Sequence, residues 1–230
     1  MDGLLFIDKP KGWTSFDVVA KVRGILRTEL KNRGVPNKIK VGHTGTLDPL
    51  ATGLLVVAIG KYTKKVPELT KHDKTYQATV TLGANSATDD AEGELVPGNN
   101  HKPTADEVYK ALQGFLGDIQ QIPPQFSAIK VAGIRSYKAA RAGDSIKHEP
   151  RNVTIYSISD IKYEYPLVTF TTKVGSGTYI RSLARDLGEK LGTGAYLSSL
   201  RRTTVGDFTI SAAVSPDGLN AAKIHELLKM

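Results

Sequence analysis

The sequence has 230 residues, 40% of them hydrophobic and 23% charged, enough chain and apolar content to bury a full core without staples and far from the composition of disordered chains. Thirty-one Lys and Arg against 23 Asp and Glu leave a formal charge of +8, which favours a polyanionic partner such as nucleic acid or an anionic membrane. The absence of cysteine excludes disulfides, thiolate metal sites, iron–sulfur clusters and thiol nucleophiles.

Gly3 to Asp8 is a short apolar run that predicts a strand, and the turn Lys9-Pro10-Lys11-Gly12 leads into a helix. Thr14 with Asp17 three residues on has capping-box spacing, and Val18, Val22, Ile25 and Leu26 follow at helical intervals. The glycine-rich segment Val41 to Leu55 runs into Leu54 to Ile59, a buried-strand pattern too short to span a bilayer. With no secretion signal in MDGLLFIDKPKG, a cytoplasmic protein is expected. A basic stretch, Lys61 to Lys74, precedes a second strand in which Tyr76, Ala78, Val80 and Leu82 alternate with polar residues.

Residues 84 to 103 read as a polar connection, and Thr104 with Glu107 starts a helix carrying Val108, Leu112 and Phe115. Residues 123 to 151 form an excursion with Pro123-Pro124, Gly133 and Gly143; within it Lys130, Arg135, Lys138, Arg141, Lys147 and Arg151 face only Asp144 and Glu149, half of the net charge of the chain. Such a run is either a solvated face or a grip on RNA. Strand patterns resume over Val153 to Ile161 and Leu167 to Val174, followed by a helix with Ile180, Leu183, Ala184, Leu187 and Leu191 on one face and a short terminal helix, Leu219 to Leu228. Strand and helix patterns alternate with neither repeats nor low-complexity linkers, so residues 1–230 are expected to form a single α/β domain.

Three segments could carry chemistry. In VGHTGTLDPLATGLL the glycines let backbone approach a ligand and Pro49 stiffens the position of Asp48, which could serve as nucleophile or base; an Asx-turn, with Asp48 bonding its own backbone, is the alternative. In VGSGTYIRSLARDL a strand gives way to a helix near Thr178, so that Tyr179 and Arg181 project from a first turn suited to anions, or the segment is an ordinary strand-to-helix turn with Arg185 and Asp186 as surface charges. Tyr76 is either strand packing or a stacking partner for an extruded base. A nucleotide P-loop is excluded, because six residues separate Gly53 from Gly60 and Tyr62 follows Lys61. The five histidines show no metal-ligand spacing, so a metal is not implied.

Taken in order, these segments resemble the TruB family of tRNA pseudouridine synthases. LLFIDKPKGWTSFDVV is similar to the family's N-terminal motif, GHTGTLDPLATGLL to its catalytic loop almost residue for residue, and DKTYQATVTLG to the next block. IPPQFSAIKVAG, SYKAARAG and GTYIRSLARDLG follow in family order, GAYLSSLRRTTVGDF closes the series, and the resemblance spans residues 3 to about 210. It implies a pseudouridine synthase catalytic fold of mixed α/β (α+β) type, a mostly antiparallel sheet flanked by helices, with the basic insertion 123–151 closing over RNA.

The activity implied is isomerisation of the T-loop uridine at position 55 of tRNA to pseudouridine, by base flipping, without cofactor or metal. The T arm of tRNA is then the partner, with neither a membrane nor an obligatory protein partner, and a monomer is expected. By resemblance Asp48 does the covalent or proton-transfer work, Arg181 pairs with it, Tyr76 stacks on the flipped base, His43 sits by the space the base leaves, Tyr179 lines the pocket and the Leu200 backbone bonds the base edge. Lys64, Lys65, Arg141, Arg201 and Arg202 are candidate phosphate contacts. Two departures stand out. The family usually carries a C-terminal PUA domain, for which this sequence leaves room only for a short helix, and ANSATDDAEG has Ala87 where relatives have Asp, which bears on closure of that loop. An RNA chaperone and the related enzyme of guide-RNA particles are the competing readings.

Overall fold

The computed structural model describes residues 1–127, 130, 131, 134–136 and 148–229; Arg141 and most of the basic excursion lie outside them. The elements in chain order are β1 (Gly3–Lys9), α1 (Ser15–Asn32), β2 (Val41–His43), β3 (Thr52–Ile59), α2 (Val66–Leu69), β4 (Lys74–Leu82), β5 (Ala84–Ser86), β6 (Leu95–Pro97), α3 (Ala105–Gln113), β7 (Gly117–Gln121), β8 (Lys130–Val131), β9 (Ile134–Arg135), β10 (Arg151–Glu164), β11 (Leu167–Val174), α4 (Ile180–Leu191), β12 (Ala195–Val205), β13 (Phe208–Thr209) and α5 (Ala221–Leu227). They divide into two compact units, Met1–Tyr76 with Leu200–Met230, and Gln77–Ser199. The divisions fall inside β4 and β12, where no change of composition marks them.

In the first unit β3 is the central strand, and every residue from Gly53 to Ile59 is buried because the strand is covered on both faces. β1 pairs with it antiparallel from Gly3↔Ile59 to Lys9↔Gly53, β2 pairs through Val41↔Ile59 to His43↔Val57, and β12 runs parallel through Arg201↔Thr52 and Arg202↔Gly53. One face packs Leu54, Val56 and Ala58 with Leu4, Phe6, Leu69 and Val205. The side chains of opposite parity, Leu5, Ile7, Leu55, Val57 and Ile59, are equally enclosed, and α1 buries Val18, Val19, Val22 and Leu26 where it packs on β1 and β2. The outer edge of β1 is closed by the C-terminal segment: Leu4 and Lys229 exchange both main-chain hydrogen bonds, at 2.7 and 2.8 Å, and Asp8 N–H donates to the Val214 carbonyl at 2.9 Å. An open edge would template pairing with another chain.

The second unit carries the strand order β12-β4-β11-β10-β7, with β10 antiparallel to both β11 and β7. Val80, Leu82, Ile155, Val168 and Phe170 form its sheet core, against which α3 and α4 bury Val108, Leu112, Leu183 and Leu187. Antiparallel pairs dominate, so the fold is mixed α/β with a mostly antiparallel sheet flanked by helices, as the family resemblance implies. Both predicted capping boxes form. Thr14 Oγ1 accepts from Asp17 N–H at 3.1 Å and Thr104 Oγ1 from Glu107 N–H at 3.3 Å, each carboxylate accepting from the capping residue's N–H in return. α3 stops at Gln113, so Phe115 lies beyond it, and α4 begins at Ile180 with Tyr179 as its N-cap, two residues later than the sequence suggests.

Because the Thr104 cap satisfies orphan N–H groups at a solvent-exposed helix start, Thr104→Ala is expected to lower unfolding free energy by about 1 kcal/mol with an unchanged m-value, measured by urea denaturation.

Candidate active site

The connection from β2 to β3 carries Asp48, half-buried between the buried side chains of Leu47 and Leu50. Pro49 occupies the second position of a turn closed by Ala51 N–H donating to the Asp48 carbonyl at 3.0 Å. The bond that closes this turn uses the main-chain carbonyl of Asp48. On either side the loop is bolted to the start of α1. Leu47 N–H donates to Ser15 Oγ at 2.7 Å, Ser15 Oγ donates back to the Leu47 carbonyl at 3.0 Å, and Gly12 N–H donates to the Pro49 carbonyl at 2.8 Å. Every residue flanking Asp48 is therefore fixed by packing or a hydrogen bond, which is what precise placement of a reacting group requires.

The beginning of the same loop is held by Arg202. Its side chain is 1% exposed and donates to three main-chain carbonyls, Nε to Leu54 at 2.8 Å, one terminal nitrogen to Gly45 at 3.1 Å and the other to Thr46 at 3.4 Å. The expected phosphate contact is corrected here: the guanidinium is buried, with three of its five N–H donors on main-chain carbonyls, and is not presented to RNA. Gly53, at φ +101°, is what allows β12 this close, since a Cβ there would stand 2.3 Å from the Arg202 carbonyl. Beneath the loop Lys74 is also buried, with Nζ donating to the Thr70 and His72 carbonyls at 2.6 and 2.5 Å. Burial first, and then the charge of Arg202, hold its ammonium down to about 8.

Burial and then Arg202 likewise push the His43 imidazole below its ordinary range. Its Nδ1 accepts from Gly45 N–H at 3.3 Å, so the neutral ring carries its proton on Nε2. Tyr76 is buried on β4. The Leu200 carbonyl accepts from Thr52 Oγ1 at 3.4 Å. Arg201 forms a two-pronged pair with Asp8 at 2.7 and 3.1 Å, so its charge is largely met within the protein, whereas Lys64 and Lys65 stand exposed, Lys65 over the Tyr62 ring at 4.4 Å.

The second unit holds Arg181 and Tyr179. Arg181, in the first turn of α4, is 6% exposed; it donates to the Phe126 and Thr88 carbonyls at 2.8 and 3.2 Å and lies 3.6 Å from the Asp90 carboxylate. Asp90 in turn accepts from Thr88 Oγ1 at 2.5 Å and from Glu92 N–H at 3.0 Å, and Ala91 N–H and the Leu197 carbonyl tie the loop to β12. The loop is closed with Ala87 in place, whose N–H donates to the Glu94 carbonyl at 3.1 Å. Arg185 and Asp186, read from sequence as surface charges, are instead three-quarters covered: Arg185 donates to Asp89 at 2.9 Å, to Asp186 at 2.8 Å and to the Ile122 carbonyl at 2.9 Å. Burial pushes the Asp89 carboxyl up, against the opposing charges of Arg185 and Arg181. Tyr179 is positioned through its main chain by the Gln121 amide, which accepts from its N–H at 2.8 Å and donates to its carbonyl at 3.0 Å. Gln121 lies outside every segment singled out in the sequence, since it works through Tyr179, a partner 58 residues away.

Residues 31–180 match the family described as TruB family pseudouridylate synthase (N terminal domain), and residues 181–228 match the tRNA pseudouridylate synthase B C-terminal domain. The chain belongs to the TruB family. It is 43% identical to tRNA pseudouridine synthase B of Thermobifida fusca, over 96% of this chain and 75% of that protein, and 44% identical to that of Geobacter sulfurreducens, over 95% and 69%. The protein of that name from Opitutus terrae is 40% identical over 100% of this chain and 91% of its own length. Among solved structures, a chain of a Cbf5-Nop10-Gar1 complex superposes with a TM-score of 0.69 at 32% identity, over 93% of this chain and 52% of that one. The chain thus spans about half the length of that solved relative. Among the described residues of this TruB family chain, no helix is long and apolar enough to cross a membrane.

Two predictions test this architecture. Arg202→Met leaves one buried and two partly buried carbonyls without this donor and is expected to cost about 3 kcal/mol in urea denaturation, Arg202→Lys losing less because one charged donor remains. Lys74 binds its proton more weakly in the folded than in the unfolded chain, so its charged form opposes folding below about pH 8, and stability is regained as pH rises from there towards 10.5. Relative to Lys74→Met, the wild type should therefore gain about 2 kcal/mol across that window, read from unfolding curves at stepped pH.

Proposed function

We propose that this protein converts the T-loop uridine at position 55 of tRNA to pseudouridine. The observation that carries the reading is Asp48, a carboxylate held half-exposed on a loop pinned by Ser15, Gly12 and Arg202, in a chain 40–44% identical to proteins named tRNA pseudouridine synthase B. That identity exceeds the 28–32% shared with chains from Cbf5 complexes, which favours tRNA over a guided substrate. In the reaction the C1′–N1 glycosidic bond breaks, the base turns, a C1′–C5 bond forms and the C5 hydrogen leaves as N1 takes a proton, so that the product is an isomer of the substrate. A base inside a folded loop must be extruded before that bond is reached, and stacking on the enzyme offsets part of the lost base stack.

Within this reading Asp48 acts on the nucleotide, Arg181 keeps Asp48 ionised, and Tyr76 stacks on the flipped base. His43, neutral and presenting Nε2–H, faces the space the base vacates; Tyr179 lines the pocket and the Leu200 main chain bonds the base edge. Lys64 and Lys65 contact phosphates, and the basic segment 123–151 closes over the T arm. The enzyme works as a cytoplasmic monomer without cofactor, metal or obligatory protein partner.

Unmodified tRNA tritiated at uridine C5, incubated with purified protein alone, is expected to release one tritium per tRNA with the wild type and none with Asp48→Asn. Tight tRNA binding without release from the wild type would leave an RNA-binding protein in place of an enzyme.

A further inference from the structure

Phe16 is the most exposed large hydrophobic side chain of the described residues, at 63%, and it sits in the first turn of α1. It contributes little to the core, which α1 reaches through Ser15, Val18, Val19, Val22 and Leu26. The helical positions that follow it on the same face are Ala20, Arg23 and Arg27. The Arg23 guanidinium lies 5.5 Å from the Phe16 ring centroid, and a second such pair, Lys21 over Trp13 at 5.3 Å, stands beside it. Among the described residues neither Arg23 nor Arg27 meets a carboxylate. The two acidic residues of the helix are occupied elsewhere, Asp17 in the capping box and Glu29 with His225 and Arg33.

We infer that this stripe is an RNA contact in which Phe16 stacks on an unpaired base of the substrate while Arg23 and Arg27 follow its phosphates. The inference rests on the function proposed above and extends it to a surface outside the pocket. Charge and chemistry select the occupant: an uncovered aromatic ring edged by uncompensated arginines is the pairing that binds single-stranded nucleic acid without reading its sequence. From Phe16 to Arg27 the helix advances roughly 16 Å, room for several nucleotides. Position selects it as well. Ser15, next to Phe16 in the chain, exchanges two hydrogen bonds with Leu47, the neighbour of Asp48, so RNA engaged at Asp48 passes the start of α1.

The affinity of a T-arm stem-loop RNA, measured by fluorescence anisotropy, tests this. Phe16→Ala and Phe16→Leu should each weaken binding about tenfold, while Phe16→Trp retains it, since a planar ring and not apolar bulk is required. Tritium release at saturating tRNA and the thermal midpoint should stay at wild-type values in all three, as befits an exposed side chain away from the reacting atoms. Arg23→Gln and Arg27→Gln should each flatten the slope of log Kd against log salt by about 0.7. Wild-type affinity in Phe16→Ala, or in Phe16→Leu alone, would overturn the stacking role. So would a concentration-dependent dimer lost in Phe16→Ala with RNA affinity unchanged, which would make the stripe an interface between copies. Absence of tritium release from the wild type would instead defeat the proposed function, a separate result.

Discussion

A guanidinium without water must find acceptors, and Arg202 finds them in three carbonyls of a segment that would otherwise be a glycine-rich loop. Gly45 and Thr46 are thereby drawn onto β12 at the point where it runs beside β3, and Leu54 is tied in from the strand that follows. The geometry demands that β12 come within reach of β3, which Gly53 permits, and that the far half of the loop be fastened independently, which Ser15 at the start of α1 and Gly12 in the turn before it accomplish. Asp48 thus belongs to a loop stapled at both ends to regular structure, half-exposed by construction. Lys74 and His43 feel the same charge, each being driven towards its neutral form by burial and by Arg202.

The second unit applies the same device to a different loop. Arg181 and Arg185, four residues apart on α4, present their forks to residues 84–93 and 122–126, and bind carbonyls and carboxylates together. Buried arginines suit this work, because a planar fork with five donors can serve several fixed acceptors at once. They also make the loops intolerant of simple truncation, since removing the donor leaves every carbonyl it served unsatisfied.

Much of the fold was legible because local patterns and tertiary packing agree. The two capping boxes, the buried run of β3, the alternation along β4 and the spacing of Leu183, Ala184 and Leu187 on α4 all read directly from residue type and period. β12 was recognisable only as a motif, since Arg201 and Arg202 interrupt its apolar alternation, and β7, GDIQQ, has almost no apolar signal of its own. Asp48 and Arg181 are singled out in the sequence by their motifs, whereas side chains placed by long-range contacts are not. Nothing in LRRT distinguishes Arg201, half-exposed and paired with Asp8, from Arg202, enclosed among carbonyls; adjacent residues of a strand face opposite ways, and only the packing says which way is in. Arg185 was misjudged for the same reason, its partners Ile122 and Asp89 lying 63 and 96 residues away, and Asp186 is covered together with it as its neighbour in the chain and its ion-pair partner.

The first unit is assembled from two separated stretches, Met1–Tyr76 and Leu200–Met230, whereas the second is one continuous stretch between them. A ribosome therefore delivers everything the second unit needs while the first still lacks Arg202, the staple of its own loop, and the residues at Val214 and Lys229 that close the edge of β1. During synthesis the strands of residues 1–76 wait with an open edge and an unfastened loop until residues 200–229 emerge, so the unit that carries Asp48 is completed after the second unit has all its residues.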